Sequence, residues 1–311
     1  MEFEYNITNK HYHTIDFYLK SKYQKKVFKV PLNASFTCPN RDGSKGINGC
    51  AFCSNKGSGD FAGNPQESLL KQFADVKENI SKKWENAYYI AYFQAFSNTY
   101  GSIEKIKNNL ETFINKKDII GMSIATRCDC IDENIVEYLK SIKHNFKEFW
   151  VELGLQTSKK QTMKAMNLCY DTNDFKKAVK LLRKANIDII VHIIDGLPHE
   201  SQQDMINTIN FVNKLDIQGI KIHCLNVIKN TKIASMYEQK KFKVISQEEY
   251  IKTIAKQIAT LKENVIIHRL GADSSSDDLI APTWISKKLS LIDKIDEYLD
   301  EHEIFQGDLT Q

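Results

Sequence analysis

Between residues 26 and 273 the chain alternates short, almost wholly apolar runs with longer stretches whose apolar positions recur every third or fourth residue. The short runs read as strands covered on both faces, as in a parallel sheet. They are KVFKVPL at 26–32, AYYIAYFQA at 87–95, IIGMSIAT at 119–126, EFWVELGL at 148–155, IDIIVHII at 187–194 and GIKIHCLNV at 219–227. The longer stretches, SIEKIKNNLETFIN, DENIVEYLKSI, NDFKKAVKLLRKAN and SQQDMINTINFVNKL, each carry one apolar stripe, as a helix lying on a sheet does. Strand and helix in regular succession give βα units, which right-handed crossovers wind into a barrel or part of one. The expected fold is α/β, a partial (β/α)6 TIM-like barrel with parallel strands. Residues 26–240 form the barrel, 1–25 a short N-terminal extension, and 241–311 a C-terminal extension packed on it. That last segment holds a helix at 246–264, a strand VIIHRLGAD and a tail from Leu279 that reads as helical.

Ligands in such folds meet the residues at the C-terminal ends of the strands. Here those ends are FQAFSNTYG, ATRCDC, ELGLQTS, HIIDGLPHE and IHCLNVIKNT, unusually polar for the ends of apolar runs. No G-x-G-x-x-G follows any strand, so a dinucleotide fingerprint is absent.

The segment CPNRDGSKGINGCAFC brings Cys38, Cys50 and Cys53 together just after the first strand. A structural zinc site takes four ligands, and His11 and His13 upstream do not complete the spacing. A redox pair would use Cys50 and Cys53 and leave Cys38 without a part. Buried free cysteines suit an apolar core better than a glycine-rich polar loop. An iron–sulfur cluster held by three thiolates uses all three and leaves one iron open to a small molecule. These four readings stand side by side on the cysteines alone.

With the strand ends added, the chain resembles the radical S-adenosylmethionine (SAM) superfamily. The spacing C-x11-C-x2-C is similar to that of a subgroup with a long loop, which includes the radical domain of the elongator catalytic subunit and a widespread bacterial family. TRCDC resembles that subgroup's TRPDC, VELGLQT its ELGxQS/T strand end, and HIIDGLPHE its HLIxGLPGE, while KIHCLNVIKNTKIASMY and LIAPTW resemble the bacterial family. The resemblance implies a 4Fe-4S cluster on Cys38, Cys50 and Cys53 whose open iron takes the amino and carboxylate groups of SAM. Its reductive cleavage would then yield a 5′-deoxyadenosyl radical. It places Phe52 near the adenine, Gln94 and Ser97 near the methionine amine, and Thr126, Arg127, Asp129, Gln156 and His192 around the methionyl and ribose portions. Asp129 equally suits a cap on DENIVEYLK or a pair with Arg127, and His192 a hydrogen-bonded place in the core. Two departures stand out. NLCY at Asn167 to Tyr170 replaces the family's NRGH, so Leu168 removes an arginine whose contact Arg127, Arg269 or a lysine would have to supply. Cys128 takes the proline's place in TRPDC, and Cys128, Cys130, Cys169 and Cys224 suit packing, an auxiliary cluster or a catalytic thiol.

Composition narrows the partners. The net charge of +4 is mild, and only four of the 43 basic residues are arginine: Arg41, Arg127, Arg183 and Arg269. Three of the four lie in the segments just described, where a planar fork grips a carboxylate better than a lysine can. No apolar run approaches a membrane span, and the N-terminus lacks the apolar core of a secretion signal; with an odd cysteine count, a cytoplasmic protein without membrane contact is expected. The substrate is expected across the barrel mouth, near Lys221, His223, Asn226, His268, Arg269 and Asp273. The resemblance implies transfer RNA, at the side chain of a wobble uridine, and an electron donor such as flavodoxin or ferredoxin. A small metabolite or tetrapyrrole is the enzymatic alternative, and a non-catalytic metal-cluster protein binding RNA or protein the other. The stretch YLKSKYQKKVFK suits contacts to RNA, although a solvated lysine-rich edge is the commoner meaning of such a pattern.

Overall fold

The computed structural model describes residues 10–57, 59, 61–271 and 277–310. Seven strands form one parallel sheet: β1 (Val27–Leu32), β2 (Tyr88–Phe93), β3 (Ile119–Arg127), β4 (Glu148–Gln156), β5 (Asp188–Asp195), β6 (Gly219–Cys224) and, after the short β7 (Val227–Ile228), β8 (Ile266–Leu270). The sheet is curled into a half-barrel, which a bond across it demonstrates: Lys29 of β1 reaches Glu152 of β4, three strands away, at 2.9 Å. Helices α1 (Ile15–Tyr23), α2 (Leu69–Ser81), α3 (Ile103–Glu111), α4 (Glu133–Lys143), α5 (Lys160–Ala165), α6 (Thr172–Lys184), α7 (Gln202–Asn213), α8 (Lys232–Glu238), α9 (Gln247–Thr260) and α10 (Lys288–Glu301) complete the chain. The helices begin where a short polar side chain can satisfy the free N–H groups of a first turn. Ser68, Ser102 and Asp132 do this for α2, α3 and α4, and Asp171, Ser201 and Ser246 form full capping boxes on α6, α7 and α9.

The outward face of the sheet, with Val30, Tyr89, Ile124, Val151, Val191 and Ile222 all buried, packs on the helices in one large core. The inward face is layered. At the N-terminal end of the strands, Ile90, Ile120, Trp150 and Ile190 form a small apolar plug that Leu19 of α1 seals. Backbone contacts hold the segment leading into α1 against β8, where Ile267 N–H donates to the His13 carbonyl at 2.8 Å. Above the plug the interior turns polar.

The partial barrel expected from the apolar rhythm is present and gains a strand. Ile266–Leu270 of the run VIIHRLGAD, assigned above to the C-terminal extension, pairs in parallel with β6 as the seventh strand. Its apolar run is short because His268 and Arg269 serve the interior. The tail from Leu279 does not begin as a helix: β9 (Leu279–Ala281) pairs antiparallel with β7, and α10 starts only at Lys288. Pro282 accounts for this, since a residue preceding proline is driven to extended backbone.

Candidate active site

The loop from Cys38 to Cys53 is tied down along its length. The Arg41 guanidinium donates to the carbonyls of Cys53 at 3.1 Å and Ser54 at 2.6 Å, clamping the third cysteine from within the loop. Asn40 Nδ2 donates to the Asn167 carbonyl at 2.5 Å, and Asn167 Nδ2 returns a bond to the Gly49 carbonyl at 2.8 Å. Ala51 N–H donates to Met166, and Ile233 N–H to the Ala51 carbonyl. Gly46 is required by crowding: a Cβ there would lie 2.2 Å from Asn40 Oδ1 and 3.0 Å from Cys169 Sγ. Asn167 of the NLCY segment is therefore a fastening for the cysteine loop.

The loop roofs a cavity of about 300 Å³ at the C-terminal ends of the strands. Cys38, Cys50, Phe52 and Cys53 line its upper wall, with Gln94 and Ser97 following β2, Thr126 and Arg127 ending β3, and Gln156 ending β4. His192, Lys221, His223, Asn226 and Arg269 line the opposite, deeper part. The buried Ser97 hydroxyl and Asn226 Oδ1 have no hydrogen-bond partner among the described residues. Asp129 is not on this wall. Its two oxygens each accept from Arg127, both at 2.9 Å, and one also from Lys45 at 2.9 Å. Burial alone would raise the Asp129 carboxyl, but Arg127 and Lys45 hold it below the usual range. The helix cap is Asp132 instead. His268 lines a second cavity, and Asp273 lies outside the described residues.

Beneath the cavity lies a buried polar layer centred on Glu152. Its carboxylate accepts from Lys29 Nζ at 2.9 Å, Lys221 Nζ at 2.5 Å, Ser123 Oγ at 2.7 Å and His192 Nε2 at 2.6 Å. His192 Nδ1 faces His223 Nε2 at 3.3 Å. Burial opposes the charge on Glu152, yet Lys221, Lys29 and His192 hold the carboxyl well below its ordinary range. The same burial draws His192 down to about 4, with Lys221 adding to the effect, so the imidazole is neutral. Lys29 and Glu152 escaped the sequence analysis. The available signal was a charged residue inside an apolar strand, where a parallel sheet buries both faces.

A family model described as "Radical SAM superfamily" matches residues 37–212, and one described as "Radical_SAM C-terminal domain" matches residues 217–301. The chain belongs to the radical SAM superfamily. "Uncharacterized protein YtqA" of Bacillus subtilis is 40% identical over 309 residues, spanning 99% of this chain and 96% of that protein. The "tRNA uridine(34) acetyltransferase" of Methanocaldococcus jannaschii is 24% identical over 189 residues, spanning 60% of this chain but 34% of that protein. Among solved structures, archaeal Methanocaldococcus infernus Elp3 superposes with a TM-score of 0.66 at 16% identity, covering 91% of this chain and 64% of that one. That likeness concerns the fold.

As a radical SAM enzyme the protein uses a 4Fe-4S cluster and SAM, which together supply one-electron cleavage of a carbon–sulfur bond. The residues present fit the cluster. Three thiols share one cavity wall on a clamped loop, and Asn40 Nδ2 points at Cys50 Sγ from 3.5 Å, the kind of donor that tunes a thiolate ligand. Burial pushes the Cys50 thiol up to about 12, with Cys53 adding, so binding metal there releases a proton. No three Cys, His, Asp or Glu side chains among the described residues converge as a single metal ion requires. Thiolates of a cuboidal cluster bind separate irons and need no such convergence.

The departure at Leu168 from the NRGH that the resemblance implied has a structural counterpart. Leu168 is fully buried, while Arg127 donates to its carbonyl at 2.7 Å and fronts the cavity beside Tyr170, 4.8 Å from the ring centre. A guanidinium thus stands beside the missing arginine's position, carried by β3. Of the remaining cysteines, Cys128 and Cys130 are buried, Cys224 lines the cavity floor and Cys169 is exposed.

Proposed function

We propose that this radical SAM enzyme modifies transfer RNA at the side chain of a wobble uridine, in the cytoplasm, with flavodoxin or ferredoxin as the electron donor. The observation that carries the reading is sequence likeness, over 189 residues, to a protein named for uridine 34 of tRNA. The surface beside the barrel's open side agrees with it. Lys25 lies 4.8 Å from the Tyr88 ring centre and Lys26 5.8 Å from that of Trp84, which is 40% exposed, so cations and aromatic faces alternate there. Such surfaces suit phosphates and unstacked bases. Because the chain spans only 34% of the acetyltransferase, acetyl transfer is not carried over.

The test is the nucleoside profile of tRNA from a strain lacking this gene, complemented with wild type or with a Cys38, Cys50 and Cys53 triple alanine variant. The expected result is loss of one modified wobble uridine and accumulation of its precursor, reversed by wild type alone. An unchanged uridine profile in the deletion strain would refute the reading.

A further inference from the structure

The polar layer holds more positive charge than a structural ion pair needs. Lys29 and Lys221 share the single carboxylate of Glu152, whose acceptor sites they fill together with His192 and Ser123. Their other polar contacts are neutral: Lys29 meets His268 Nδ1 at 3.3 Å and Lys221 the Tyr92 hydroxyl at 3.2 Å. Barrel interiors are ordinarily filled by layers of branched apolar side chains. A buried charged layer is often no more stabilising than an apolar one of equal volume, so stability alone does not account for it.

Both lysines line a second cavity of about 270 Å³, set between α1, β1 and β8 on the open side of the half-barrel. Lys20, Lys25 and Arg269 also line it. Asp16 is the one carboxylate on its wall among the described residues, and it is exposed and accepts from Lys26 at 2.9 Å. Glu152 is not on that wall, and neither is any cysteine. Phe61, Tyr92, Gln94, Lys221 and Arg269 belong to this cavity and to the cysteine-lined one, so the two spaces adjoin through them.

We propose that the second cavity is a subsite for a small anionic group of the substrate, a carboxylate or a phosphate, held by the ammonium groups of Lys29 and Lys221. The rest of the substrate then reaches past Tyr92 and Gln94 toward the cysteines. An ammonium offers three donors; each of these lysines spends one on Glu152 and a second on Tyr92 or His268, leaving one apiece for an incoming oxyanion. Calling the bound group a substrate's rests on the enzyme reading above, whereas anion binding itself requires neither RNA nor turnover, so the two can fail separately.

The experiment measures, at about pH 6 where Lys221 keeps its proton, the unfolding temperature of the anaerobically reconstituted full chain against increasing acetate and, separately, inorganic phosphate, with chloride at matched ionic strength as reference. The expected result is a saturable rise above the chloride curve with one of the two anions, acetate assigning a carboxylate and phosphate a phosphate. The same rise should persist when SAM is present. In the double variant Lys29→Met, Lys221→Met it should vanish. Lys29→Gln, which leaves Lys221 and Glu152 as a balanced pair, should weaken apparent affinity about tenfold, the loss of one charge-assisted bond, and decides the question if the double variant does not fold. No rise above chloride with either anion, a rise that SAM abolishes, or one undiminished in the variants would overturn the assignment.

Discussion

Replacing Lys221 by methionine puts the charge balance of the barrel interior to a quantitative test. Lys221 is 5% exposed and is faced by Lys29 from β1, Tyr92 from β2, Glu152 from β4, His192 from β5 and Arg269 from β8. Burial lowers its ammonium from the ordinary 10.5 to about 7 against the pull of Glu152, with Lys29 and Arg269 adding to the lowering. Between those two values the unfolded chain holds a proton that the folded protein has released, so stability rises with pH in that window. Below the folded value the cost of burying the charge is fully present. Integrated over one such group, the gain between pH 7 and pH 9 is about 2 kcal/mol. Lys221→Met removes the group and with it this slope. Denaturant unfolding of both proteins under anaerobic reducing conditions across that range gives the difference directly. Thiols and tyrosines whose protons burial retains, such as Cys50 and Tyr12, are common to both proteins and cancel. A difference that stays flat with pH would refute the reasoning, because it would mean that Glu152 neutralises Lys221 completely and leaves Lys29 as the outlier.

The remaining predictions concern Glu152, the cysteine loop and Arg127. Glu152→Gln strands two lysines in the barrel and should cost about 3–5 kcal/mol, read as a lower unfolding midpoint; an unchanged midpoint would show that the lysines find other partners. Gly46→Ala puts a methyl against Asn40 Oδ1 and should lower iron and sulfide per chain after reconstitution while the far-ultraviolet circular dichroism stays native. Full loading in that variant would contradict the clamped loop. Arg127→Lys loses the two-pronged bond to Asp129 and should destabilise by about 1.5–3 kcal/mol despite keeping the charge. Equal stability in thermal unfolding would show that charge alone suffices there.

The barrel was legible because its rule is local. A strand buried on both faces must be apolar nearly throughout, as β3 and β5 are, and a helix on a sheet must repeat its apolar residues at three and four. That Cys38, Cys50 and Cys53 come together was legible for the same reason, since they lie on one short loop and line one cavity; their spacing alone left four readings open. Most strand-end candidates reach the cavity because the C-terminal end of a parallel strand is a position along the chain. Asp129, in the turn just after β3, is turned away from the cavity wall by the pair with Arg127 that the sequence already offered and by Lys45, whose approach from a loop distant in sequence no spacing contains.

What the linear order determined, then, is most of the strands and helices, the cavity-bearing end and the clustering of three cysteines on one loop, all governed by spacings within one segment. The charged layer belongs to the tertiary structure alone. Lys29, Glu152 and Lys221 sit on three strands that do not adjoin in the sheet, and each looks like an isolated polar interruption until the sheet curls and brings them within 2.9 Å and 2.5 Å of one another. Curling also converts the strand at Ile266–Leu270 from an appended segment into the seventh stave, and opens the lysine-lined cavity beside it. A flat sheet of the same strands would have the same apolar pattern. The hand of the curl is fixed locally, but how far it closes, and therefore which charges meet, is decided by packing across the barrel.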